Sequence, residues 1–183
     1  HIEAHAFPTR RSSTSATVNG KRMVFCLMRQ GLVVVDATDG SEYFSRWFRA
    51  QVNDSVNAAN PIVIGNQVHC SAAYYGVGGF TLRIKPDNRS FDTVWANRHL
   101  EVHWMTPIHH EGYLYAFSGR NEPDAYFRCV DFKTGAIAWE RDERWRKGAT
   151  KTPEVYGRGS IIMADNKLIV LGEGGQLGLF EVN

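Results

Sequence analysis

Four histidines crowd one stretch of the chain, His99, His103, His109 and His110, with Glu101 and Glu111 among them. Imidazole and carboxylate groups ligate zinc and related divalent ions, so two or three of these side chains could meet a metal. The local pattern argues against it. Adjacent His109 and His110 must point to opposite faces of a strand, and His99 and His103 fall in a connection between strands. His103, with its neighbour Trp104, reads better as part of a surface that meets a partner. A second candidate surface is the basic stretch Arg141, Arg144, Arg146, Lys147 and Lys151, interleaved with Asp142, Glu143 and Trp145. A solvated loop or a single helical turn is the default for such a run, but Trp beside Arg is the composition of an interface anchor. Arg144 and Trp145 are therefore candidate contact residues.

Sequences that carry catalysis are missing. No G-x-S-x-G, H-E-x-x-H, Walker A or G-x-G-x-x-G occurs. Gly76-Val77-Gly78-Gly79 imitates a phosphate loop, but no helix follows to supply a dipole, so it reads as a hairpin turn. Gly172 to Gly175 is its counterpart near the end of the chain. The three cysteines, Cys26, Cys70 and Cys129, are far apart and form no C-x-x-C, so no disulfide framework or redox pair is expected.

The 183 residues carry 43% hydrophobic and 22% charged side chains, which is the composition of a folded globular domain. The formal net charge is +2, so charge by itself gives no reason to expect nucleic acid. No apolar run approaches the ~20 residues of a membrane-spanning helix.

The elements that must position these residues come from a repeat. Gly20-Lys-Arg-Met-Val-Phe, Gly65-Asn-Gln-Val-His-Cys, Gly112-Tyr-Leu-Tyr-Ala-Phe and Asn166-Lys-Leu-Ile-Val-Leu recur at intervals of about 45–54 residues. Each is preceded by one strand-like stretch and followed, after a Gly-containing turn, by another. In three units a further turn leads to a fourth, aromatic-bearing strand: Tyr43 to Phe48, Thr93 to Ala96 and Ala136 to Glu140. Val, Ile, Tyr, Phe and Trp fill the strands, and Gly, Asn, Asp and Pro punctuate them. Four-stranded units at this spacing predict an all-β fold, a β-propeller with one unit per blade. The blades are expected at about 13–52, 58–98, 103–142 and 156–183.

The sharpest unit runs Cys129-Val-Asp131-Phe-Lys-Thr134-Gly135-Ala-Ile-Ala-Trp139. The first unit repeats it as Val35-Asp36-Ala-Thr-Asp-Gly40 with Phe44 at the Trp position, and the second has a longer turn before Trp95. This motif resembles the repeat of PQQ-like, quinoprotein-type β-propellers. The absence of any Trp-Asp dipeptide separates it from WD40 repeats. The resemblance covers the chain from about Ser13 onward. It implies that Asp36, Gly40, Phe44, Trp95, Asp131, Thr134, Gly135 and Trp139 dock neighbouring blades together, a structural role. It also implies a complete ring of seven or eight blades. The last unit stops after three strands, so the chain is expected to be part of a larger propeller, its C-terminal half or a fragment of it. The remainder of its own precursor, a second copy or a different subunit would complete it.

True quinoprotein dehydrogenases carry a vicinal Cys pair, a Trp floor under the cofactor and a calcium site. This chain has no adjacent cysteines and no evident calcium ligands, so no cofactor is expected. The resulting expectation is a non-catalytic scaffold or protein-interaction module, periplasmic or extracytoplasmic by resemblance, without a membrane span or nucleic-acid partner. Two alternatives are kept. One is part of a PQQ-dependent type of oxidoreductase whose cofactor residues lie elsewhere. The other is a carbohydrate-binding or carbohydrate-processing module using aromatics such as Tyr74, Tyr75 and Trp104.

Overall fold

A computed structural model describes residues 13–120, 125–141, 144–145 and 154–182. Among them there is no α-helix. The first sheet is an antiparallel meander of β1 (Ser13–Val18), β2 (Lys21–Met28), β3 (Gly31–Asp36) and β4 (Glu42–Trp47). The second repeats it with β5 (Ile62–Ile64), β6 (Gln67–Ala72), β7 (Gly78–Ile84) and β8 (Phe91–Asn97). The third comprises β9 (Ile108–His110), β10 (Tyr113–Ser118), β11 (Tyr126–Asp131) and β12 (Ile137–Arg141). A two-residue ladder pairs β13 (Arg144–Trp145) with β14 (Glu154–Val155). It occupies the charged stretch that the sequence left as loop or helical turn, most of which lies outside the described residues. The fourth sheet has three strands, β15 (Ser160–Ala164), β16 (Lys167–Leu171) and β17 (Leu177–Glu181). The molecule is all-β and of propeller type, with four successive blades.

Period-two patterning explains the strands. In β2, Met23, Phe25 and Leu27 are fully buried while Val24 and Cys26 face the other way. First and second strands are joined by tight turns in which Asn19-Gly20, Glu111-Gly112 and Asp165-Asn166 all take positive φ, the two-residue hairpin whose twist suits antiparallel strands. First strands of adjacent blades converge. β1 lies against β5 and β9 against β15, and side chains bridge at Thr14 Oγ1 to the Pro61 carbonyl (2.7 Å) and Asn60 Nδ2 to Thr106 Oγ1 (2.8 Å).

The core sits between blades. One cluster joins Phe25, Leu27, Leu32 and Val34 of the first blade to Val68, Cys70, Phe80 and Leu82 of the second. The other runs from Trp95 through the third blade to Leu168 and Val170 of the fourth. Facing sheets of neighbouring blades thus bury one another, so packing energy is shared between neighbours as in other repeat folds.

Burial between blades also traps a titratable group. His69 on β6 is sealed, shares a hydrogen bond with Thr81 Oγ1 (3.2 Å) and leaves its Nε2 without a partner. Burial pushes its pKa down from 6.5 to about 3. His103 is pushed down to about 4, by burial first and then by Arg158 and Arg120. Both imidazoles stay neutral when folded and take up a proton near pH 6.5 when unfolded. Stability is therefore full above about pH 6.5 and falls as pH drops toward 4, by at most about 1.4 kcal/mol per pH unit for each group. Urea unfolding at pH 7.5 and pH 5 should show a lower midpoint at pH 5. His69→Gln should flatten that slope by about one proton, and an unchanged slope would mean that His69 is not the buried neutral group described.

Candidate functional site

In a four-stranded meander, first-to-second and third-to-fourth turns share one end, and second-to-third loops and interblade connections share the other. The repeated turn motif, Asp36 to Phe44 and Asp131 to Trp139, lies at the turn end. In the first and third blades the same bonds close the turn. Gly40 N donates to the Asp36 carbonyl (3.0 Å) and Gly135 N to that of Asp131 (2.8 Å). The carboxylates accept from Thr38 N and Thr134 N, each at 2.7 Å. The Tyr43 hydroxyl, bonded to Asp36, helps hold that carboxyl below the usual range. Phe44, Trp95 and Trp139 occupy one register position, opposite Val34, Thr81 and Cys129, and in each blade the ladder shifts immediately afterwards.

Their environments differ. Phe44 is buried against Phe91 of the second blade, ring centroids 5.0 Å apart. Trp95, 7% exposed, donates its indole N–H to the Phe132 carbonyl of the third blade at 2.9 Å and lies over Gly135. Asn97 Nδ2 (2.9 Å) and His99 Nδ1 (2.7 Å) both bond the Gly135 carbonyl. Trp139 is half-buried, set edge-on to Phe127 at 5.2 Å and tilted against Tyr115.

The loop end gathers a different set. After Gly31-to-Trp47 and equivalent pairs the chain crosses to the next blade. Between β8 and β9 this crossing, residues 98–107, is pinned at several points. Ser71 Oγ bonds the Leu100 carbonyl and accepts from Val102 N (2.8 Å), while Glu101 N donates to Ser118 Oγ (2.9 Å). Leu100 and Val102 are sealed in the core. Their anchoring fixes His103 and Trp104, which stack on each other at 3.8 Å and 15°. His103 meets Tyr74 edge-on at 4.9 Å. Tyr74 and Tyr75 lie on a single 3-10 turn, Tyr74–Gly76, between β6 and β7, where Tyr75 takes φ +53° and stays exposed. A non-glycine residue in that conformation costs of order 1 kcal/mol or more and is held only by its surroundings.

Two guanidinium groups complete the set. Arg120 lies over Tyr74 at 4.5 Å and over Tyr75 at 4.8 Å. Arg158 lies over Trp104 at 4.7 Å and pairs with Glu173. Trp104 nevertheless stays 37% exposed.

Of the residues anticipated as contacts, His103 and Trp104 are thus brought together with Tyr74, Tyr75, Arg120 and Arg158. The backbones of Arg144 and Trp145 form β13, and their side chains lie outside the described residues. Arg120 and Arg158 were missed, since a lone Arg in a loop carries no sequence signal. The remaining histidines part company: His99 goes to the Gly135 carbonyl, His109 packs edge-on to Phe132 and His110 sits 3.9 Å from Glu111. Among the described residues no group of three or more metal-ligating side chains comes together. The three cysteines are free thiols.

Comparison with known proteins bears on the fold. BamB from Moraxella catarrhalis superposes with a TM-score of 0.56 at 20% identity, over 88% of this chain and 42% of that one. The computationally designed Ika4 protein gives 0.57 at 13% identity, over 100% and 96% of the two chains. A europium-containing methanol dehydrogenase gives 0.51 at 14% identity, over 91% and 40%. The chain thus spans less than half the length of the two natural propellers. No curated protein matches the sequence. Residues 3–141 match the family described as outer membrane protein assembly factor BamB, and with its four repeat blades the chain belongs to that family of PQQ-like propeller proteins.

Proposed function

We propose that the chain is a non-catalytic propeller module that holds a protein partner within a larger extracytoplasmic assembly, with the loop end as its contact surface. The observation that carries this reading is the cluster of Tyr74, Tyr75, His103, Trp104, Arg120 and Arg158. Aromatic rings braced by arginines are the side chains that dominate protein interfaces, because they offer large rigid contact area with polar edges. The stacked His103 ring takes up one face of the Trp104 indole and leaves less of it open to a sugar. Trp95 is enclosed between blades and offers no floor to a planar quinone. No helix among the described residues is long and apolar enough to cross a membrane.

A photo-crosslinking residue placed at Tyr75 or Trp104, in the native cell, should yield discrete protein adducts. The same residue at Asp39 or Asp87, in the turns of the opposite end, should yield none. Equal labelling from both ends would overturn the assignment. The oxidoreductase alternative predicts a cofactor absorbance and a raised melting temperature when PQQ and calcium are added, and the module reading predicts neither.

A further inference from the structure

Arg46 interrupts the apolar layer between the first two blades. On β4 and just after it, Phe44, Arg46 and Phe48 alternate toward the second blade. Phe44 and Phe48 are buried there against Phe91 and Phe80, with ring centroids 5.0 and 4.7 Å apart. Arg46 lies between them, half-buried, its guanidinium 4.3 Å over the Phe80 ring. Its Nη1 donates to Thr93 Oγ1 at 2.7 Å. A guanidinium carries more donors than that one bond uses. Among the described residues no carboxylate pairs with it. Drawing a charge out of water without a counter-charge is costly, so the unmatched guanidinium calls for an anion from outside the chain.

A pocket of about 250 Å³ opens beside it, between the two blades at the loop end, and Arg46, Phe48, Val77, Phe80, Ala96 and Arg98 form most of its wall. The glycine-rich turn shapes one side. No side chain could stand at Gly76 without meeting the Arg98 guanidinium, nor at Gly78 without meeting the Asn97 carbonyl. The run that imitates a phosphate loop thus lets the chain pack closely on the end of β8. Arg98 is already paired with Glu101, Nε to Oε1 2.8 Å. The wall therefore carries one unmatched positive charge, at Arg46, in otherwise mostly apolar surroundings. Both blades that form it are in place, so no further blade is needed to complete it.

We propose that this pocket binds a carboxylate carried on an apolar group, the carboxylate pairing with Arg46 and the apolar group resting against Phe48, Val77 and Ala96. The single charge matches a monoanion, whereas a phosphate dianion would leave one negative charge unpaired. The flat guanidinium presents parallel N–H donors that suit the two oxygens of a carboxylate. The volume falls just below the roughly 300–1,000 Å³ of drug-sized ligand sites, which suits one ring or a short branched chain. Two sources share this chemistry: a free small acid, and the C-terminal residue of a polypeptide with an apolar last side chain. The inference is independent of the loop-end cluster, with which the pocket shares no residue.

The methyl groups of Val77 and Ala96 report on the pocket by carbon–proton NMR. Titration of the folded chain with 3-phenylpropanoate should shift both saturably, with a Kd of the order of 1 mM, and the neutral amide 3-phenylpropanamide should bind at least about 10-fold more weakly. Arg46→Gln should weaken the acid by a similar factor and leave the amide unchanged. Ala96→Leu keeps the charge but narrows the mouth, and because Ala96 is exposed it should keep the fold; it should weaken acid and amide alike. An acetylated tetrapeptide ending in phenylalanine, tested with a free and an amidated C-terminus, separates the sources. Tighter binding of the free-carboxylate peptide than of 3-phenylpropanoate supports the proposal with a polypeptide end as ligand. Weaker binding of that peptide supports it with a small acid. Equal binding of 3-phenylpropanoate and its amide, unchanged binding in folded Arg46→Gln, or no saturable shift up to about 10 mM overturns it.

Discussion

Trp95→Ala should cost about 3–5 kcal/mol of unfolding free energy, the largest loss of any substitution at the register position that Phe44, Trp95 and Trp139 share. The ring is enclosed between the second and third blades, and its removal opens a cavity where His69 and Gly135 now pack against it. It also leaves the Phe132 carbonyl without the indole donor at 2.9 Å. Trp95→Phe separates the two effects, since it keeps most of the ring and loses only the donor, and should cost about 1–2 kcal/mol less than the Ala variant. Trp139→Ala should cost less than Trp95→Ala, because its ring is half-buried. Urea denaturation followed by tryptophan fluorescence and by circular dichroism measures all three. A loss below about 1 kcal/mol for Trp95→Ala would show that the blades are not held at this ring.

Gly135→Ala should be the second large effect, about 2–4 kcal/mol, and it should depend on Trp95. A Cβ at this position would come within 2.5 Å of Trp95 Cδ2 and 2.7 Å of Asn97 Nδ2, at a backbone φ of +72°. Gly40 is a natural control. It occupies the same place in the first-blade turn at φ +76°, and its added Cβ would meet nothing within 4 Å. Gly40→Ala should therefore show only the backbone cost of a left-handed residue, about 1 kcal/mol. In the Trp95→Ala background the clash with the ring is gone and only the one with the Asn97 side chain remains, so the two substitutions should be sub-additive by at least about 1 kcal/mol. Full additivity would mean that ring and turn do not touch.

The pair of glycines also shows why one motif could be read in two ways. Asp-x-x-Thr-Gly and Asp-x-x-Asp-Gly close the same turn through the same backbone bonds, and this local chemistry is visible in the residues themselves. Whether a ring from the preceding blade sits on the turn is not local. Trp95 meets its partners Phe132 and Gly135 across some forty residues of chain.

Strand identity, blade spacing and the register of Phe44, Trp95 and Trp139 were legible in the sequence, because period-two burial, tight hairpins and a repeated turn leave their signature over a few consecutive residues. The loop-end cluster was half legible. Trp104 and His103 stand out as an aromatic pair in a connection, whereas Arg120 and Arg158 join them only because the second, third and fourth blades bring their loops to one end. Tertiary structure alone decided that His69 is sealed while His99 reaches a neighbouring turn. Alternation along a strand says that a face is apolar. Which sheet covers that face is a property of stacking between segments far apart in the chain, and no window of sequence contains it.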